Sequence, residues 1–245
     1  MLLTAGCSFV YGDELDGCEN DPPTHWPLTF THQLAELQGL EYKNLGWCGN
    51  GNQKILRDVV DYLQDHDDVT HMVVLWSAWN REEFAEVLTP EQESKFRLKR
   101  QQQMSQVSVE RFGDLQKGLS GAVGKLFTYE GYRRANLMRG INCMTTLSVL
   151  CKARGIKLIQ GIFHDRMWHS FLGYYKDKRY KEFNQYIKNA LDKLPHNEKI
   201  GMFGCYEDLF SFSGKRYGLK PNAHPVEKAH VEYAKLLNHI FNGLE

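Results

Sequence analysis

The sequence has no excess of charge of either sign. Thirty lysines and arginines balance thirty aspartates and glutamates over 245 residues, so the formal net charge is zero. Proteins that bind the phosphate backbone of nucleic acid, or an anionic membrane surface, usually carry a basic field. The balance of charge therefore predicts no nucleic-acid partner.

Long apolar segments are missing as well. No stretch approaches the roughly 18 consecutive apolar residues that span a bilayer. The apolar residues after Met1 have no basic flank of the kind that begins a secretory signal. We therefore expect no membrane partner and a cytoplasmic location.

The six cysteines are scattered and include no CxxC pair. Structural zinc sites use closely spaced ligand pairs, so the sequence predicts no metal and no cofactor. In a chain of this length without a signal, we expect reduced thiols that pack as small hydrophobic side chains.

What the chain does contain is an alternation of strand and helix patterns. Short apolar runs at 2–5, 42–45, 71–76 and 156–163, and a weaker one at 200–203, alternate with stretches of helical period. This rhythm predicts one α/β domain over residues 1–245. We expect a three-layer α/β/α, flavodoxin-like arrangement with a parallel sheet in the middle.

The segment from about 89 to 134 does not fit this rhythm, because it is polar and has few apolar anchors. We interpret it as an insertion, either a lid over the sheet or an arm for a protein partner. Its basic stretch KFRLKRQQQ (95–103) could meet an anionic partner or form a solvated helix face.

The block GCSFVYGD (6–13) directly follows the first predicted strand. A serine that attacks a carbonyl must present Oγ at the open end of the sheet, with its own N–H towards the developing oxyanion. Gly6 would relieve crowding where the strand ends, so Ser8 is a candidate nucleophile. The alternative is a tight turn with an incidental serine, and Val10 excludes the G-x-S-x-G elbow.

Two further blocks follow predicted strands. NLGWCGNGN (44–52) has three glycines just before a helix, which would let backbone amides approach a ligand closely. VVLWSAWNREEF (73–84) places Asn80 after a buried strand, where its side-chain N–H could reach an oxyanion. The alternatives are a plain glycine-rich loop and a helix cap.

The block KPNAHPVEKAH (220–230) precedes and begins the last predicted helix. His224 lies in the loop and is followed by a proline that can fix the entry into the helix. His230 would compete only if the helix faced differently, because it falls one turn inside. His224 is therefore the candidate general base.

In this order the motifs resemble the SGNH (GDSL-type) hydrolase superfamily of esterases, lipases, thioesterases and carbohydrate deacetylases. The resemblance implies that Ser8 is the nucleophile and His224 the base. It also implies an oxyanion hole made by the amides of Ser8 and Gly49 and the side chain of Asn80. The block WSAWNREEF (76–84) is similar to bacteriophage SGNH-like proteins, which implies a host cytoplasm or a virion as the location.

The sequence departs from the family pattern most seriously at Pro221, where the family has the aspartate that completes its triad. Asn222 could orient His224 through its side-chain oxygen, and a backbone carbonyl could do the same without adding charge. Asp13 or Asp165 could instead bring a carboxylate to the ring. There are two milder departures. The family's GDS triplet is GCS (6–8) in this sequence, and of its Gly-x-Asn-Asp motif only the asparagine is present.

The motifs and the resemblance together imply a serine esterase for a small acyl ester, and the resemblance makes an O-acetylated carbohydrate the first substrate to consider. Trp47 and Trp79 lie near the candidate loops and could stack on a sugar, or they could fill the core. The alternative function is a non-catalytic SGNH-fold binding protein, such as a virion or assembly component. A nucleotide-binding module is disfavoured because nothing after the first strand resembles a phosphate cradle.

Overall fold

A four-stranded parallel sheet forms the centre of the protein in a computed structural model, which describes residues 1–20, 24–78, 129–164, 181–202 and 205–244. The strands are arranged in the order β2-β1-β3-β4. Their bounds are β1 (Leu2–Gly6), β2 (Tyr42–Asn44), β3 (His71–Trp76) and β4 (Lys157–Ile162). The weaker strand expected at 200–203 is reduced, among the described residues, to a bridge between Ile200 and Gly161.

Helices follow the strands along the chain. They are α1 (Ser8–Tyr11), α2 (Phe30–Gln38), α3 (Asn52–Asp65), α4 (Tyr129–Arg154), α5 (Lys181–Asp192), α6 (Leu209–Arg216) and α7 (Glu227–Asn242). The last residues of the expected insertion, 129–134, are helical and form the start of α4. Residues 89–128 lie outside the described part. Among the helices described, none has the length and apolar character needed to cross a bilayer.

The sheet is covered on both faces, which confirms the three-layer prediction. Alternate residues of a strand point to opposite faces, and β1 divides accordingly. Leu3 and Ala5 belong to a core formed with α3, α4 and α5, whereas Leu2 belongs to a core formed with α2, α6 and α7. All three of these side chains are fully buried, as a central parallel strand requires.

The carboxyl ends of the strands meet at one edge of the sheet. Ser8 follows β1, the loop 45–51 follows β2, and Ser77 follows β3. In parallel α/β sheets ligands bind in the crevice outside these ends. The fold therefore brings Ser8, the glycine-rich loop after β2 and the end of β3 to a single edge.

Candidate active site

Ser8 is the first residue of α1, at a sharp turn from strand to helix. Cys7, between the strand and the helix, is extended, with φ −94° and ψ −156°. A Cβ on Gly6 would lie 2.4 Å from Val10 Cγ2 and 2.8 Å from the Leu75 carbonyl oxygen. A glycine is therefore required at position 6, because any side chain there would push α1 away from the sheet.

His224 is presented by a tight turn before α7. Leu219 and Pro225 form an antiparallel bridge, and the Lys220 N–H donates to the His224 carbonyl at 2.8 Å. Ala223 has φ +67°, a conformation that is rare for a residue with a side chain. This turn places His224 Nε2 3.0 Å from Ser8 Oγ, so the two ends of the chain meet at the candidate site.

The other ring nitrogen of His224 contacts a carboxylate that the sequence analysis did not identify. His224 Nδ1 lies 2.9 Å from Glu14 Oε2. Asn222 donates to the second oxygen of the same carboxylate, from its backbone N–H at 3.3 Å and from Nδ2 at 2.5 Å. The expectation that Asn222 orients the imidazole directly is corrected, because Asn222 holds Glu14 and Glu14 holds the ring.

Glu14 is fixed by its neighbours in the sequence. The Gly12 and Asp13 N–H groups both donate to the Ser8 carbonyl, at 2.9 and 3.0 Å, and the side chain of Leu15 is buried. Glu14 itself has φ +66°. Glu14 and Ala223 are the non-glycine residues with positive φ in the described part of the chain, and they flank the same contact. Backbone strain of this kind concentrates at functional sites.

Asp13 lies at the opposite edge of the imidazole. Its Oδ2 is 3.6 Å from His224 Nε2, and its side chain is 36% exposed, against 18% for Glu14. Of the carboxylates considered from the sequence, Asp13 thus reaches the ring, but at the nitrogen that faces Ser8. Asp165 lies outside the described residues.

The loop after β2 is fastened to the end of β1. The Trp47 N–H and the Asn50 side chain each donate to the Gly6 carbonyl at 3.2 Å. Asn50 is almost fully buried, and Gly49 next to it has φ +80°. The backbone around Gly49 is thereby tied to the strand end that precedes Ser8.

The first residue after β3, Ser77, is held by hydrogen bonds in a similar way. Asn52, at the start of α3, accepts from the Ser77 N–H at 2.7 Å and donates to the Ser77 carbonyl at 3.2 Å. This fixes the chain shortly before the expected oxyanion donor, Asn80. Asn80 and Trp79 themselves lie outside the described residues.

Aromatic side chains of α1 and of the loop after β2 contact each other and the His224 ring. Trp47 is 42% exposed and meets Tyr11 edge to face, with ring centroids 5.2 Å apart. Burial raises the pKa of Tyr11 to about 12, so its phenol is neutral near pH 7. The Phe9 ring lies 5.1 Å from the His224 ring.

Two other histidines are structural. His230 is buried in the core, where its Nδ1 accepts from the Phe30 N–H at 3.1 Å, and burial lowers its pKa to about 3. His25 is also buried, its Nε2 lies 2.7 Å from the Tyr11 carbonyl, and burial lowers its pKa. The described residues contain no group of three potential metal ligands.

Hydrogen bonds thus link a serine to a histidine, and that histidine to a carboxylate, at the open edge of a parallel α/β sheet. This is the arrangement with which serine hydrolases activate a nucleophile. Comparison with solved structures finds a similar α/β fold in proteins of low sequence identity.

A carbohydrate esterase family 2 enzyme with a carbohydrate-binding domain, from Corynascus thermopiles (Myceliophthora fergusii), aligns with a TM-score of 0.51 at 11% identity. The alignment covers 98% of this chain but 64% of that chain. TesA aligns with a TM-score of 0.45 at 14% identity, over 96% of this chain and 93% of that one. A lipolytic G-D-S-L family protein from Veillonella parvula has a TM-score of 0.46 at 14% identity, with 99% and 98% covered. No family model and no curated protein matches the sequence.

Proposed function

We propose that the protein is a serine ester hydrolase of SGNH type that removes a small acyl group. The observation that carries this proposal is the chain of contacts from Ser8 Oγ to His224 Nε2 at 3.0 Å, and from His224 Nδ1 to Glu14 at 2.9 Å. A structural serine would need neither an imidazole within proton-transfer distance nor a carboxylate behind that imidazole.

The reaction has two steps. His224 Nε2 takes the Ser8 proton while Oγ attacks the ester carbonyl, and the imidazolium then protonates the leaving alcohol. Glu14 keeps the Nδ1 proton in place and stabilises the imidazolium. In the second step His224 activates a water that cleaves the acyl-serine and releases the acid.

In this mechanism the oxyanion forms on the side of the site where the loop after β2 and the end of β3 lie. We assign its stabilisation to the backbone N–H groups of Ser8 and Gly49 and to the side-chain amide of Asn80. The hydrogen bonds at Gly6 and Ser77 support this assignment, because they hold the loop after β2 and the first residue after β3 at the end of the sheet. Donors held in advance stabilise the transition state without reorganisation.

The substrate we favour is an O-acetylated carbohydrate. The sequence shows no long apolar cap that would hold a lipid chain, and the exposed face of Trp47 next to Tyr11 could stack on a sugar. Trp79 would serve the same purpose from the loop after β3. The fold neighbour described as a carbohydrate esterase agrees with this choice.

The test is hydrolysis of p-nitrophenyl acetate together with labelling by a fluorophosphonate probe. The parent should turn over the ester and label at Ser8. Ser8→Ala should lose both, and His224→Ala should retain the fold, shown by circular dichroism, while losing turnover. Folded parent protein that neither labels nor hydrolyses would exclude an activated serine.

The second candidate is a non-catalytic SGNH-fold protein, such as a phage virion or assembly component in the host cytoplasm. Two features of the sequence favour this candidate. Position 221 is a proline, and the polar segment 89–134 is a candidate arm for a protein partner. Glu14 weighs against it, since a carboxylate does reach His224 although position 221 lacks one. Failure of labelling and turnover in folded protein would select this candidate.

A further inference from the structure

Asp13 lies beside the nitrogen of His224 that would carry out the chemistry. Its Oδ2 is 3.6 Å from Nε2, whereas Glu14 occupies Nδ1 at 2.9 Å. Asp13 is the more exposed of the two, so a bound molecule can reach it. The two carboxylates therefore have different positions, with Glu14 behind the ring and Asp13 at its reacting edge.

The reacting edge of His224 must also receive the leaving alcohol. To take a proton from Nε2, the ester oxygen has to come within hydrogen-bond reach, about 3 Å. A hydroxyl on the neighbouring carbon lies about one hydrogen-bond length further on. Asp13 Oδ2, 3.6 Å from Nε2, is within reach of such a hydroxyl.

We propose that Asp13 accepts a hydrogen bond from a hydroxyl vicinal to the ester oxygen, so that the substrate is a monoacyl ester of a polyol. This rests on the proposed hydrolase function and specifies its leaving group. A carboxylate accepts a stronger hydrogen bond than a neutral oxygen does. The Asp13 N–H donates to the Ser8 carbonyl at 3.0 Å, which holds the acceptor at a set place relative to the nucleophile.

The surroundings of Asp13 also suit a sugar. The Cys48 thiol interacts with the Asp13 carboxylate, and burial together with this negative charge raises the pKa of the thiol. Cys48 directly follows Trp47, whose indole is exposed. An exposed aromatic residue that precedes the partner of this carboxylate in the chain suits a carbohydrate, which has C–H groups on its faces and hydroxyls at its edge.

A neutral polyol fits the site better than a cationic alcohol does. When Ser8 loses its proton, His224 becomes an imidazolium at the edge that Asp13 faces. A cation bound to Asp13 would lie next to this positive charge, and like charges at such a distance disfavour each other. A hydroxyl donates to Asp13 without adding charge.

The test compares 2-hydroxyethyl acetate with propyl acetate, in which a methyl group replaces the hydroxyl. With each kcat/KM divided by the rate of alkaline hydrolysis, we expect the parent to prefer the hydroxyethyl ester at least about tenfold, as for a hydrogen bond to a charged acceptor. Asp13→Asn should bring this ratio close to one. Asp16→Asn is the matched control, because Asp16 pairs with Lys220 at 3.7 Å and should leave the ratio as in the parent.

Three outcomes would overturn the proposal. An equal loss on both esters in Asp13→Asn, with the ratio unchanged, would show that Asp13 acts only on the imidazolium. A preference for acetylcholine over 2-hydroxyethyl acetate, lost in Asp13→Asn, would assign Asp13 to a cation. If Ser8→Ala matched the parent on propyl acetate, the hydrolase function itself would fail, which is distinct from a failure of the ratio alone.

Discussion

Glu14 Oε2 lies 2.9 Å from His224 Nδ1, across 210 positions of the sequence. A carboxylate acceptor at Nδ1 fixes the proton on that nitrogen, which leaves the Nε2 lone pair free to accept the Ser8 hydroxyl. In the proposed hydrolase, Glu14 would therefore serve as the acid of the triad, although it comes from the turn after α1. Proline at position 221 is compatible with the proposed catalysis for this reason.

Replacing Glu14 by glutamine should lower turnover strongly. The amide can no longer stabilise the imidazolium and can turn its N–H₂ towards Nδ1, which favours the wrong tautomer. In serine proteases the corresponding aspartate-to-asparagine change costs about ten-thousand-fold, and we expect at least about a hundredfold loss of kcat on p-nitrophenyl acetate here, with KM little changed.

The pH profile separates this role from a structural one. Glu14→Gln should regain part of its rate at high pH, where hydroxide can replace the missing base function, while Asp16→Asn should follow the parent at all pH values. Turnover of Glu14→Gln within about twofold of the parent would remove Glu14 from the mechanism.

Asn222 should act through Glu14, and its two variants should differ. Asn222→Ala removes the Nδ2 hydrogen bond but keeps the backbone N–H bond to Glu14 Oε1, so we expect about a tenfold loss of kcat, the size of one hydrogen bond to a charged group. Asn222→Asp should be worse, because a second carboxylate next to Glu14 would repel it.

The comparison is made on p-nitrophenyl acetate, with melting temperatures to exclude unfolding. An Asn222→Asp variant that is faster than Asn222→Ala would indicate that position 222, and not Glu14, provides the acid.

Asn80 should contribute to the oxyanion hole. Loss of one such donor costs about 3 kcal/mol, so Asn80→Ala should lower kcat about a hundredfold without loss of stability. Asn52→Ala is a useful contrast, because it removes the pair of hydrogen bonds with Ser77 and should lower stability as well as activity. Equal kcat in Asn80→Ala and the parent would exclude this residue from the site.

The sheet could be predicted from sequence because burial on both faces leaves a plain signal. The run HMVVLW forms β3 at the predicted bounds, since a parallel strand buried on both faces is apolar at nearly every position. The single turn α1 gave no such signal. Its four residues are too few to show a helical period, and they are buried all round.

The residues of the candidate site also differ in how well the sequence predicts them. Ser8 and His224 stand next to residues with recognisable backbone roles, Gly6 at the close approach and Pro225 at the helix entry. Glu14 had no comparable marker, because its position depends on a positive φ and on a turn more than two hundred residues away. The available signal is the pair of acids after Gly12, in which the sequence alone does not distinguish Glu14 from Asp13.

The buried His230 should make the protein less stable in acid. Its pKa is lowered to about 3 in the folded state and is about 6.5 in an unfolded chain, so below pH 6.5 the unfolded state binds the proton first. The stabilising contribution is complete above pH 6.5 and is lost as the pH falls towards 3, by about 1.4 kcal/mol per pH unit.

Urea unfolding between pH 4.5 and 7.5 measures this effect, and two variants separate its parts. His230→Gln and His230→Phe should both flatten the slope by the contribution of one proton, because neither side chain titrates. They should differ in stability at pH 7.5, where glutamine can still accept from the Phe30 N–H and phenylalanine leaves that buried donor without an acceptor. An unchanged slope in both variants would show that His230 is not the group that takes up the proton on unfolding.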